Sequence, residues 1–239
     1  MKSKLYLYII FFSCICMCSS CITRRDTAYL QQGGPIYHAV LQEEYRLRIN
    51  DEVSYFLITS NEATQVLYNG TDISFRIFND GTIHLPIGQV KIVGLTLREA
   101  ENVLRNAFSN IVLDAEIRLT LINNFFFVQG DGKKGQFQIY KENLNIFQAL
   151  AMAGDISIIG DKKNIKLIRR GADGLDHTRT IDLRQESIIE SEFYYIMPND
   201  VIVIPTTSKA FFHVESLGSF FSMVVTPISF LLMVLTLFK

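Results

Sequence analysis

The sequence predicts an α+β protein in which two small modules are followed by a C-terminal transmembrane helix. Three observations support this fold class: short alternating apolar segments separated by turn residues, two capped helices in the middle of the chain, and an uncharged apolar stretch at each end. The chain has 239 residues, 49% of them hydrophobic, which suffices for one or two domains with a core. A formal net charge of −1 argues against a disordered chain and against a general nucleic-acid binder.

The N-terminal stretch is typical of a secretory signal peptide over residues 1–20. Lys2 and Lys4 precede an uncharged run of about 13 residues, which is too short to span a bilayer comfortably. Ser19-Ser20-Cys21 resembles a bacterial lipobox, with Cys18 at the usual aliphatic position. This resemblance implies cleavage before Cys21 and a diacylglycerol on its sulfur. The alternative is an ordinary signal peptide with a chance cysteine.

The cysteine count supports the same interpretation. All four cysteines lie between residues 14 and 21, so the mature chain keeps only Cys21 and can form no internal disulfide. A cleaved leader cannot hold a metal site, and we expect no metal there. Residues 21–44 are then a lipidated N-terminus and a linker rich in polar residues.

The first module is predicted to span residues 45–122. An Asn-Asp turn ends in Asp51, and strands over 74–78 and 82–86 flank the turn residues Asp80 and Gly81, which predict a hairpin. Pro86 ends the second of these strands, and Gly88 precedes a further strand over 89–93. Thr96 and Glu99 form a capping-box pattern, which predicts a helix to about residue 108.

The second module is predicted to span residues 123–207, again with short antiparallel strands around one helix. The helix begins near Asn145 and ends at Gly154, a residue suited to the position just after a helix. The last strand begins at a second Asn-Asp pair, which ends in Asp200. Strands are expected over residues 125–130, 136–140, 165–169, 178–183 and 200–204.

Two short internal similarities connect the modules. Residues 45–53 align with 194–202 around the two Asn-Asp pairs, and residues 95–100 align with 144–149 at the two helix starts. Two related modules would explain both matches, although each match is short.

The C-terminal part, residues 208–239, contains an uncharged stretch over 216–238 that predicts a transmembrane helix. About 22 residues at ~1.5 Å each cover the ~30 Å core of a bilayer. Its hydroxyl residues recur at helical spacing and share one face, which suggests a helix–helix contact or a polar lumen, with chance composition as the alternative. They are Ser219, Ser222, Thr226, Ser229 and Thr236. The sequence leaves open whether this helix crosses the outer or the inner membrane.

Catalysis is not predicted. The four histidines lie far apart and no nucleophile or phosphate-binding motif appears, so we expect no enzyme, no cofactor and no metal. A basic cluster could bind an acidic glycan or a neighbouring subunit, or simply form a solvated face. It consists of Lys162, Lys163, Asn164, Lys166, Arg169 and Arg170.

The order of several motifs resembles a known family. In the first module these are Tyr45-x-Leu47-x-x-x-Asp51-x-Val53, Asp80-Gly81-x-Ile83-x-Leu85-Pro86-x-Gly88 and Gly94-Leu95-Thr96-x-x-Glu99. They resemble the polysaccharide export domain of the Wza-type outer-membrane export proteins. The second module is similar to a soluble-ligand-binding β-grasp domain through Val128-x-Gly130, Ala153-Gly154 and Pro198-x-Asp200-Val201-Ile202. Asn50 and Asn199 stand where the family usually has glycine.

The resemblance implies an outer-membrane lipoprotein with a periplasmic body that forms a homo-oligomeric ring, with eight subunits as the expectation. Its terminal helices would form an α-helical barrel through which capsular or extracellular polysaccharide passes outward. The partners implied are the polysaccharide, outer-membrane lipid and an inner-membrane co-polymerase or tyrosine-kinase-like protein. The alternative function is a non-conducting glycan- or ligand-binding lipoprotein that acts as an envelope scaffold.

Overall fold

The computed structural model describes residues 28–31, 44–171, 173–207, 222, 225–230, 233–234 and 236. It is a mixed structure of sheets with few helices, as predicted. In chain order the elements are β1 (Glu52–Ile58), α1 (Glu62–Tyr68), β2 (Gly70–Arg76), β3 (Thr82–Leu85), β4 (Gly88–Lys91), α2 (Leu97–Phe108), β5 (Glu116–Leu121), β6 (Phe125–Gly130), β7 (Gly135–Gln138), α3 (Ile146–Met152), β8 (Ile165–Arg170), β9 (Asp176–Ile181), a 3₁₀-helix (Glu186–Glu190) and β10 (Val201–Ile204).

The first module is built on a three-stranded antiparallel sheet in the order β2-β1-β5. Alternate residues of β1 point into the core, so that Val53, Tyr55 and Leu57 are almost completely buried. Helix α2 packs on this sheet through Ala100, Leu104 and Phe108. Because one face of the sheet is covered by the helix, this module has its own hydrophobic core.

The predicted hairpin around Asp80 and Gly81 is wrong in its strand pairing. A tight turn does form there, since the N–H of Phe78 donates to the carbonyl of Thr82 (2.9 Å). However, β2 pairs with β1, and β3 pairs instead with β4 across the turn at residues 86–87. A local turn signal fixes the direction of the chain, whereas the partner of each strand is chosen by the burial of the whole sheet.

The second module contains a five-stranded sheet in the order β7-β6-β10-β8-β9. The central strand β10 is parallel to its neighbour β6, which corrects the expectation of antiparallel strands only. Gly130 ends β6 at φ 99°, and a Cβ there would lie 1.9 Å from the backbone oxygen of Ile204. Glycine therefore permits the close approach of these two strand ends.

Both predicted helices begin at capping residues, as their sequences indicate. At α2 the Thr96 side chain accepts a hydrogen bond from the N–H of Glu99. At α3 the Asn145 side chain accepts one from the N–H of Gln148. Gly154 follows α3 at φ 80°. Helix α1 was not predicted, and none of its residues is buried, so it carries no apolar stripe that could reveal it.

The two ends of the chain lie largely outside the described residues, including the predicted signal peptide, Cys21, most of the linker and Ser219. The described residues between 222 and 236 are α-helical, and Thr226 and Ser229 donate their hydroxyls to backbone oxygens four residues earlier. Thr236 donates to the backbone oxygen of Met233. Within the described parts of the chain, we find no helix with the length and apolar character needed to cross a membrane.

We predict that Leu104→Ala destabilises the protein by about 2–5 kcal/mol, because it leaves a cavity under α2. Leu104 is 0% exposed, whereas Leu67 of α1 is 71% exposed. Leu67→Ala is therefore a matched control and should change the free energy of unfolding by less than about 0.5 kcal/mol. Urea denaturation of both variants tests this, and equal losses would contradict the described packing.

Candidate functional site

A cleft of about 950 Å³ lies between the two modules. We call it the interdomain cleft. Its walls are residues 44–50, 79, 93 and 94 of the first module and residues 169–171, 174, 177, 179, 191–193, 195 and 197 of the second. Asn50 of the first Asn-Asp turn and Met197, just before the second, line the cleft.

The two Asn-Asp turns have the same backbone geometry. Asn50 and Asn199 adopt the left-handed region, with φ 71° and 67°. The N–H of Asn50 donates to the carbonyl of Ile77 (2.9 Å), and that of Asn199 donates to Phe125 (2.7 Å). Asparagine tolerates this conformation better than most residues. It can therefore occupy a position where glycine would otherwise be favoured.

Asp51 is buried and bonds to both modules. Its Oδ2 accepts from the backbone N–H of Arg48 and from the hydroxyl of Tyr45, both at 2.8 Å. Its Oδ1 accepts from the side-chain amide of Asn123 (3.2 Å), which lies at the start of the second module. Burial and the adjacent Asp51 raise the pKa of Tyr45 far above its ordinary value, so Tyr45 remains a proton donor at physiological pH.

Asp200 occupies the equivalent position in the second module and is 1% exposed. Its two oxygens accept from Nε and Nη2 of Arg169 at 2.9 and 2.6 Å, and Oδ2 also accepts from the N–H of Met197 (2.8 Å). Burial raises the pKa of Asp200, and the bound guanidinium opposes that shift. Arg169 also donates to the backbone oxygens of Glu192 and Tyr195, and so fixes the segment that lines the cleft.

The helix caps are joined to these turns in the same way in both modules. The N–H of Leu47 donates to the carbonyl of Leu95, and that of Ile196 donates to Leu144, each at 2.8 Å. Glu99 closes the capping box of α2, and its pKa is lowered by the backbone N–H of Thr96 and then by Arg46 nearby. Each turn is therefore held against the start of one helix.

The remaining predicted turn residues do not line the cleft. Asp80 accepts from the backbone and hydroxyl of Thr82 (2.9 and 2.8 Å), and its pKa is lowered by the first of these bonds. Gly81 has φ 81° and lies under Val93, which leaves no space for a Cβ. Pro86, Gly88 and Gly154 occupy the β3–β4 turn, the start of β4 and the end of α3.

The predicted basic cluster is not a single surface. Lys162 is 7% exposed, and its Nζ lies 4.1 Å from the ring centroid of Tyr29. Arg169 is bound to Asp200, and only Arg169 and Arg170 of the six residues line the cleft. Residues 162–164 precede β8, and only its last two residues, Arg169 and Arg170, reach the cleft.

Sequence reasoning missed most of the side chains that line the cleft. Arg46 and Arg48 come from the first module, whereas Arg179, Phe193 and Tyr195 come from the second. The centroid of the Phe193 ring lies 5.2 Å from the guanidinium carbon of Arg169 and 6.0 Å from that of Arg179. No local motif joins residues more than 100 positions apart, although both Asn-Asp turns mark the walls.

The described residues hold no group of histidine, cysteine, aspartate or glutamate side chains that could bind a metal ion. The side chains that line the cleft offer hydrogen bonding, charge and aromatic surface.

Comparison with known families gives one match. Residues 39–121 match the family model described as polysaccharide biosynthesis/export protein. This match confirms the family resemblance of the first module, and the family is described as one of polysaccharide biosynthesis and export. A comparison with curated proteins gave no match.

We predict that Asp200→Asn destabilises the protein more than Asp51→Asn. Asp200→Asn leaves the guanidinium of Arg169, whose side chain is 12% exposed, without its carboxylate, which should cost about 3–5 kcal/mol. Asp51→Asn leaves no cation unpaired and should cost about 1–3 kcal/mol. Chemical denaturation of both variants measures the difference, and an equal loss would show that the Arg169–Asp200 pair contributes nothing beyond the turn.

Proposed function

We propose that the chain is an oligomeric outer-membrane lipoprotein that exports polysaccharide, because residues 39–121 match the polysaccharide biosynthesis/export protein family. In this proposal, Cys21 carries the lipid and the two modules form a periplasmic body. The terminal helices of several copies then form the α-helical barrel through which the polysaccharide leaves.

The fold of the second module supports its proposed assignment as a β-grasp domain. Its first and last strands, β6 and β10, lie side by side and parallel at the centre of the sheet. Helix α3 packs on this sheet through Ile146, Ala149 and Leu150, in one core with the strands. The core of this module thus lies between the sheet and a single helix.

The segment that follows the lipidated Cys21 and the segment that leads to the terminal helix both contact the second module at the same loop. Tyr29 donates its hydroxyl to Asp155, at the start of a loop over residues 155–160. The N–H of Thr207 donates to the carbonyl of Ile159 in the same loop (2.8 Å). Tyr29 is eight residues after Cys21, which limits the distance between them to about 29 Å. The lipid and the terminal helix would therefore hold the same end of this module against the membrane.

The parallel strands β6 and β10 indicate which end of the second module faces the export domain and which end faces the membrane. Both begin at the boundary with the export domain, where Asn199 donates to Phe125. Both end next to the loop over residues 155–160: the N–H of Asp131 donates to the carbonyl of Ile204 (2.9 Å), and the N–H of Ser157 in the loop donates to the Asp131 carboxylate (2.7 Å). Strands of four and six residues cover about 13–20 Å. We therefore place the export domain on the far side of the second module from the membrane, facing an inner-membrane partner.

The observation that carries the function is the export-family domain itself, and deletion of the terminal helix tests the channel. In a strain lacking the gene, the full chain should restore surface polysaccharide, whereas a chain without residues 217–238 should not. Limited proteolysis of the truncated chain controls for folding of the body. Normal surface polysaccharide with the truncated chain would favour the non-conducting scaffold.

We predict that Ser222→Leu, Thr226→Leu and Ser229→Leu together reduce surface polysaccharide to the level of the strain without the protein. Small hydroxyl side chains permit close packing or line a polar passage, and leucine would do neither. The control is Val224→Leu with Leu231→Met, on the opposite face of the proposed helix. Unimpaired export by the triple variant would remove the role proposed for this face.

We predict that Cys21→Ser abolishes lipidation, whereas Cys18→Ser does not, because only Cys21 would become the first residue of the mature chain. Intact-protein mass spectrometry should show the diacylglycerol mass in the wild type and in Cys18→Ser alone. An unlipidated wild-type chain would exclude the lipoprotein and leave an ordinary signal peptide.

A further inference from the structure

We propose that the interdomain cleft binds acidic sugar units of the exported polysaccharide, through the guanidinium groups of Arg48, Arg170 and Arg179. This inference rests on the proposed export function and names the chemical class of its substrate. The evidence is the balance of free donors and acceptors in the walls, the aromatic surface beside them, and the size of the cleft.

Three arginines of the cleft have no carboxylate partner among the residues that the structure describes. The guanidinium carbon of Arg48 lies 5.4 Å from the centroid of the Tyr45 ring. Arg170 donates Nε to the backbone oxygen of Gly174 (3.1 Å), and Arg179 lies over Phe193. By contrast, Arg46 and Arg169 are paired with carboxylates. The unpaired guanidinium groups keep most of their N–H donors available for a ligand.

The buried carboxyl groups behind the cleft are not available as acceptors. Both oxygens of Asp51 and both oxygens of Asp200 already accept hydrogen bonds from the protein. Burial raises the pKa of Asp200, and the nearby charges of Arg169 and, more weakly, Arg48 oppose that shift. The exposed carboxylates of the walls are those of Glu44 and Glu192. A ligand thus meets charged donors, which favour carboxylate groups.

Aromatic side chains lie beside these donors. Phe193 and Tyr195 are half-buried in the wall of the second module. Their position is fixed because Arg169 donates to the backbone of Glu192 and of Tyr195. A pocket that joins apolar ring surface to a few well-placed charged groups is the usual form of a small-ligand site. A sugar ring can lie on the aromatic surface while its carboxylate reaches a guanidinium.

The size of the cleft favours a saccharide over a second copy of the chain. A volume of about 950 Å³ falls within the ~300–1,000 Å³ range of ligand pockets. A stable contact between subunits buries about 800 Å² on each partner, usually over a broad surface rather than within a cleft. A segment of a few sugar units fits the space that the two modules leave.

Isothermal titration calorimetry of the purified full-length protein tests the proposal. The probes are a galacturonate tetrasaccharide and the neutral tetrasaccharide obtained by reducing its carboxyl groups. We expect Arg179→Gln and Arg48→Gln each to weaken binding of the acidic probe by about tenfold, since each removes a charge-assisted hydrogen bond. The neutral probe should bind the wild type at least tenfold more weakly. Arg118→Gln, an exposed arginine of β5 outside the cleft, should not affect binding.

Several results would overturn the proposal. These are absence of binding by the wild type, equal binding of the two probes, or unchanged binding in both cleft variants. Because Arg179 is exposed, its variant stays informative even if Arg48→Gln fails to fold. A change in oligomer mass in Arg179→Gln without a change in binding would instead make the cleft a subunit contact and reject the glycan site.

Export in cells separates this proposal from the proposed function. If surface polysaccharide requires the protein but the acidic probe does not bind, the cleft proposal fails and the export function remains. If surface polysaccharide is unaffected by loss of the protein, the export function fails whatever the calorimetry shows. Reduced export in Arg179→Gln, together with weaker binding, supports both.

Discussion

Burial of two aspartate side chains at the start of a strand is the constraint on which both modules depend. Asp51 immediately precedes β1, and Asp200 immediately precedes β10. Each is almost inaccessible to solvent and must therefore have all its acceptor positions satisfied. The surrounding backbone supplies part of this, because the N–H three residues earlier donates to each carboxyl at 2.8 Å. The turn, the strand and the adjacent helix start are thereby fixed relative to one another.

The same arrangement occurs in the two modules with the opposite chain order. In the first, the turn precedes the capped helix, whereas in the second the capped helix α3 precedes the turn. Nevertheless, isolated bridges join Arg46 to Thr96 and Tyr195 to Asn145, which are equivalent pairs. The turn and the helix start therefore form the same contact in both modules, although their order along the chain differs. Both turn segments also line the cleft, so the cleft lies where two similar corners meet.

The features that sequence predicts well are those with a local cause. A Thr or Asn followed three residues later by Glu or Gln predicts a helix start, because the two side chains satisfy neighbouring backbone groups. Strand partners have no such signal. The turn at Asp80 is local, but the strands on either side of it do not pair: β2 pairs with β1, and β3 pairs with β4. The parallel pair β6–β10 joins residues more than 70 positions apart, and alternation of apolar residues does not distinguish parallel from antiparallel pairing.

The cleft could not be predicted either, because its walls come from residues that are distant in sequence and have no local signal. Its chemistry differs from that of the terminal helix. Thr226 and Ser229 already donate to the backbone, so in the proposed channel their oxygens could only accept hydrogen bonds from sugar hydroxyls. Such contacts are weak, and conduction requires weak binding. The guanidinium groups of the cleft instead offer charged donors, which bind more strongly. Selection of the polymer and its release would then take place at different sites, at opposite ends of β6 and β10. A strong site within the barrel would slow passage, whereas a strong site at the far end of the body only raises the local concentration of the polymer.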